Sequence, residues 1–109
     1  MSIIDTRVID SVILDDEDKS VVLLITDHLD WQSPKGHLLS LQQKLNTYIE
    51  FVESKQIQNE YPKAVGRDIS IVVAYQYDLI EPAVVFYEQA AKFLLEKANI
   101  KLLYAFEQC

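Results

Sequence analysis

The residues of this 109-residue sequence best suited to chemistry stand together in Asp27-His28-Leu29-Asp30-Trp31, with His37 following. Imidazole and carboxylate are ligands for zinc and other divalent cations, and a histidine beside an aspartate can serve as a general base. Arg67 is the further basic group that such a site could recruit, so a small-molecule or metal-binding reading takes Asp27, His28, Asp30, Trp31, His37 and Arg67 together. The spacing weighs against a metal. Along an extended strand Asp27 and His28 point to opposite faces, and neither His-x-x-His nor His-x-x-x-His occurs. The structural alternative carries more weight: Asp27 or Asp30 caps a turn, His28 pairs at a sheet edge, and Trp31 packs over the next helix near Leu38. No metal ligands, cofactor or catalytic residues are assigned. The chain has no Gly-rich phosphate loop, Gly-x-Ser-x-Gly elbow or HExxH, so the reading leans away from an enzyme.

A second acidic cluster, Asp15-Asp16-Glu17-Asp18, lacks the glycine-centred frame of a calcium loop and reads as a solvated turn. Eight of the carboxylates fall in residues 1–31 against Arg7 and Lys19, which places most of the net charge of −7 at one end of the sequence. The ten basic residues form no run or stripe, so nucleic-acid binding has no platform for phosphates. The single cysteine, Cys109, excludes a disulfide framework and agrees with a reducing compartment. No apolar stretch is long enough to span a membrane, and the first residues lack a basic-then-apolar leader. The expectation is a soluble, unexported, cytoplasmic protein forming one domain over residues 1–109.

The elements that must position these groups follow from periodicity. Val8 to Leu14 and Val21 to Thr26 are β-branched runs around the acidic turn and predict a hairpin. From Pro34 the apolar gaps become three and four through Leu38, Leu41, Leu45, Tyr48, Ile49 and Val52, with Lys44 among the residues assigned elsewhere. This predicts a long helix, with Ser33 as N-cap and an end before Tyr61-Pro62. Gly66 then offers a positive φ. Ile69 to Tyr77 alternates as a central strand, Glu81-Pro82 opens a second helix facing the core with Phe86, Ala90, Phe93 and Leu94, and Ile100 to Phe106 alternates after a cap at Asn99. Six tyrosines fall at positions suited to a buried ring with a wet hydroxyl.

The order ββαβαβ, with right-handed crossovers taken in one direction, predicts an α+β fold. It is a two-layer α/β sandwich with a four-stranded mixed sheet of order 1-2-3-4 and both helices on one face. The other face is then bare, with Val22 or Leu24, Val72, Ala74 and Leu103 among polar neighbours, unless loops or the N-terminal segment cover it. A homodimer through that face is expected, and the carboxylates Asp15, Asp16 and Asp18 would attract a basic protein partner, as antitoxin-like or immunity-like inhibitors do.

The sequence resembles an uncharacterised bacterial family of domains of about a hundred residues. The likeness rests on Thr26-Asp27-His28-Leu29-Asp30-Trp31, on His37-Leu38-Leu39 with Leu41-Gln42 and Lys44-Leu45-Asn46, and on Tyr61-Pro62, Ala64 and Gly66-Arg67. That family has no assigned function. The resemblance implies a similar architecture and marks the Asp-His-Leu-Asp-Trp turn for testing.

Overall fold

β1 (Ser11–Asp15) and β2 (Ser20–Asp27) form the expected antiparallel hairpin, Asp15 opposite Ser20. The structure is a computed structural model that describes residues 6–107. Oδ1 of Asp15 closes the turn by accepting the amides of Glu17 and Asp18, at 3.0 and 3.2 Å. Along β2 the alternation is strict: Val21, Leu23, Ile25 and Asp27 are buried, and the residues between them are half-exposed.

β1 is shorter than the Val8–Leu14 run predicts, because residues 6–10 leave the sheet and cross α1 (Pro34–Glu53). The Lys44 ammonium donates to the Val8 carbonyl at 2.6 Å and to Asp10 Oδ1 at 3.0 Å, and the Thr47 hydroxyl donates to the Thr6 carbonyl. Tyr48 lies beneath, its hydroxyl taking the Asp10 amide at 2.9 Å and donating to the Leu24 carbonyl at 2.7 Å. Burial, with the Asp10 charge adding to it, pushes the Tyr48 phenol above the ordinary tyrosine range, so it remains a donor. These contacts keep residues 6–10 on the helical side of the sheet.

Pro34 starts α1 as expected, but Ser33 caps it differently. Its hydroxyl makes no capping bond, and its backbone carbonyl takes the His37 amide at 3.0 Å. The helix stops at Glu53 rather than ahead of Tyr61. Lys55 turns left-handed (φ 68°), and a short helix, α2 (Gln56–Glu60), follows, then a 3-10 turn, Pro62–Ala64. A straight helix at about 100° per residue would carry Ile57 roughly 180° from Tyr48, into solvent. The break lets Ile57 turn inward, where it is fully buried.

Gly66 takes the predicted positive φ, 80°, and leads into β3 (Asp68–Tyr75), which ends two residues before Tyr77. α3 (Glu81–Ala98) ends on Asn99 in the left-handed conformation, and β4 (Ile100–Phe106) completes a sheet of order β1-β2-β3-β4, with β2, β3 and β4 parallel. The core-facing stripe of α3 is Ala83, Tyr87 and Leu94 with Phe86 and Ala90 beside it. Phe93 is instead 53 % exposed, on the wall of a groove of about 410 Å³ between α1 and α3.

One core joins Val21, Leu23 and Ile25, Ile71 and Val73, and Ile100 and Leu102 to Leu41, Leu45, Tyr48, Phe51, Tyr87 and Leu94, so both long helices cover the same sheet face. Among the described residues, no helix is long and apolar enough to cross a membrane.

Candidate functional site

Asp27, at the carboxyl end of β2, points inward because it is in phase with Val21, Leu23 and Ile25; His37, in the first turn of α1, descends onto it. Nε2 of His37 lies 2.6 Å from Oδ2 of Asp27, and Nδ1 lies 3.0 Å from the Asp30 carbonyl. Both side chains are almost wholly buried. A carbonyl only accepts, so Nδ1 donates, and a further proton lies between Nε2 and the carboxylate. Trp31 stacks on the imidazole, with ring centroids 3.6 Å apart and planes 19° from parallel. Oδ1 of Asp27 takes the Leu29 amide at 3.1 Å, and Oδ1 of Asp30 takes the Gln32 amide at 3.1 Å. The segment is thus a closed latch from strand to helix. Neither imidazole nitrogen is available to a metal or a substrate proton, and no group of three or more His, Cys, Asp or Glu among the described residues could hold a metal ion.

The latch brings together Asp27, Asp30, Trp31 and His37 and leaves out the other two candidates. His28 is exposed, sent away by the strand alternation and not paired as a sheet-edge residue would be. Arg67 precedes β3 at the opposite end of the sheet, about 23 Å of strand from Asp27. There it staples the hairpin: Nη1 donates to the carbonyls of Asp15 (3.3 Å) and Ser20 (3.5 Å), and Nη2 meets Oδ1 of Asp16 at 2.8 Å. That hydrogen bond and the Arg67 charge, helped by Lys63 and Lys19, hold the Asp16 carboxyl below the ordinary range. Arg67→Met is therefore expected to move the Asp16 carboxyl titration back up toward 3.8, read by carbon-13 NMR. The folded-state value is depressed, so this contact contributes above the unfolded carboxylate pKa and is lost as pH falls through the lowered one.

A profile for a family of unknown function, DUF6572, matches residues 1–108. The chain belongs to that family. No curated protein and no solved structure matches it. Beyond the latch, this DUF6572 domain carries further buried polar groups and a bare sheet face.

Two such groups escaped the sequence reading. Lys44 is fully buried, and its signal was position: His37, Leu41, Lys44, Tyr48 and Phe51 recur at four, three, four and three, which makes lysine a member of the core stripe. Tyr87 is the other. Its ring stacks on Tyr104 (centroids 4.4 Å), and its hydroxyl, buried and not wet as expected, has no hydrogen-bond partner among the described residues. Burial first, then the charges of Asp27, Tyr75 and Tyr104, push this phenol far above the usual range. Tyr87→Phe is expected to raise stability by about 1 kcal/mol, since it removes a desolvated hydroxyl and keeps the ring; a fall in the thermal midpoint would reveal a partner for that oxygen.

The remaining candidates lie on the bare side of the DUF6572 sheet. The register aligns Ile13, Val22, Ser70 and Lys101 in one row, Ser11, Leu24, Val72 and Leu103 in the next, and Thr26, Ala74 and Ala105 beyond. Ile13 is 47 % exposed and Leu103 49 %, while Val22, Leu24, Val72 and Ala74 are half-buried. Asp15 and Asp68 bound this patch at the hairpin end, where Asp16 and Asp18 are exposed.

Proposed function

We propose that the domain is a small acidic protein-interaction module whose working surface is the sheet face that no helix covers. What carries the reading is the apolar run Leu24, Val72 and Leu103 on that face, with Ile13 and Val22 in the row beside it and Ile13 and Leu103 exposed at its two margins. Single exposed apolar residues such as Leu39, Val65 and Leu95 are ordinary surface, whereas a contiguous patch of this kind marks an interaction site. The acidic hairpin beside it supplies long-range attraction for a basic protein partner. Asp18 and Glu17 are the exposed charges for that purpose, because Asp15 closes the turn and Asp16 is held by Arg67. The closed latch supports this reading over a ligand or metal site at the Asp27–Trp31 turn. A reducing bacterial cytoplasm is the setting that suits its one cysteine.

Carbene footprinting of the domain in extract from its own cells, against buffer, tests the surface. Protection of Ile13, Leu24 and Leu103 with Val85 and Leu95 on α3 unchanged is the expected result. Equal labelling of both sides would remove the proposal.

A further inference from the structure

We infer that the occupant of the bare face is a second copy of this chain, stacked sheet on sheet about a two-fold axis that runs along the strands between β2 and β3. This rests on the interaction reading above and adds the partner and its orientation. Strands about 4.8 Å apart and same-face rows about 6.7 Å apart give a flat footprint on the order of 400 Å² per copy. With side-chain relief, the pair buries roughly 1,000–1,200 Å² in total, at the low end of specific interfaces. Such a dimer forms in the micromolar range and dissociates on dilution, unlike an obligate pair.

Charge then selects the axis. Lys101 is the one basic residue on the four strands, and it sits on the bare face at the edge strand β4; the carboxylates Asp15, Asp16 and Asp18 gather at the opposite edge, on the β1–β2 hairpin. An axis along the strands lays β4 of each copy over β1 of the other. The Lys101 stem then covers Ile13 while its ammonium points toward Asp15 and the acidic turn, and the arrangement repeats on the far side. Leu24 meets the other copy's row at Val72 beside the axis, where burial is deepest. An axis across the strands would instead send the two hairpin turns to opposite ends and set Lys101 over Leu103, away from the acidic turn of either copy, stranding the cation. The helices stay outside in the chosen arrangement, and the roughly 30° offset of stacked twisted sheets is accommodated about the same centre.

Light scattering and sedimentation across the micromolar range, run on the full chain, test the inference. The expected result is a two-chain mass that falls to one chain on dilution. Leu103→Lys abolishes it without lowering the thermal midpoint taken at dilutions where wild type is a single chain, and Lys101→Glu weakens it on the order of tenfold, because the two-fold axis counts each change twice. In a Cys109→Ser background, a short bis-maleimide joins Val72→Cys to itself and leaves Ile13→Cys unjoined, since the β1 strands lie at opposite margins. A dimer that survives Leu103→Lys, or joins through Ile13→Cys, overturns the face or the axis. A single-chain mass throughout, with an anilinonaphthalene dye binding wild type but not Leu103→Lys, overturns the second copy and leaves the interaction surface standing. A single-chain mass with no dye binding overturns both.

Discussion

Lys44→Met is expected to cost the domain about 3–5 kcal/mol, a fall in thermal midpoint of at least about 12 °C for a chain of this size. The ammonium is wholly buried, 2.6 Å from the Val8 carbonyl and 3.0 Å from Asp10, and lies 5.7 Å from the centroid of the Tyr48 ring. Methionine fills most of the volume but leaves the Asp10 carboxylate, itself little exposed, without this cation, and leaves the Val8 carbonyl without its donor. The damage has a predicted location as well as a size. Residues 6–10 are tied to α1 through Lys44, Thr47 and Tyr48, so their amides should lose exchange protection first, before the sheet does. Asp10→Asn keeps an acceptor for the ammonium and removes only the charge, so its cost should be clearly smaller. Thermal unfolding by circular dichroism with hydrogen exchange reads both. A loss below about 1 kcal/mol for Lys44→Met would mean that water screens the pair as it does on a surface.

Lys44 also shows where sequence periodicity stops being informative. Strand alternation correctly separated Asp27 from His28, because a period of two is set by the local backbone, and the order and pairing of the four strands followed from the element order with right-handed crossovers taken in one direction. The helical stripe was legible only where its members were apolar. Lys44 stands in phase with Leu41 and Tyr48, yet residue type argued for solvent, and its burial goes with the arrival of the Val8 carbonyl and Asp10 from 36 and 34 positions away. The same blindness to distant partners explains Arg67, which was grouped with the Asp27 turn but staples the hairpin 51 positions earlier. On α3 the competition between Tyr87 and Phe93 went to the tyrosine because Tyr104 offers a stacking surface below it, a fact about β4 rather than about the helix. The break at Lys55 was hidden for a related reason: no proline or glycine marks it, and it exists to bring Ile57 into a core built by other elements.

The latch offers the sharpest separation between a charged pair and a hydrogen-bonding geometry. His37→Ala removes the donor facing Asp27 Oδ2 and the surface under Trp31, leaving a carboxylate that is 1 % exposed with only the Leu29 amide to balance it; the expected loss is about 3–5 kcal/mol. Asp27→Asn should be far milder, on the order of 1 kcal/mol. The asparagine oxygen keeps the Leu29 amide, its amide nitrogen turns toward His37, and the neutral imidazole with the proton on Nδ1 accepts at Nε2 while still donating to the Asp30 carbonyl. Every buried polar atom of the latch is then satisfied without charge. Asp27→Leu, similar in reach but unable to bond, should fall close to His37→Ala. Equal losses for Asn and Leu would show that the charge itself holds β2 to α1, whereas small losses for all three would mean that the turn holds its shape through Trp31 and the backbone alone. In either case, intact self-association in the Asn variant is expected, because the latch lies on the helical side of the sheet and Leu24, Val72 and Leu103 lie on the other.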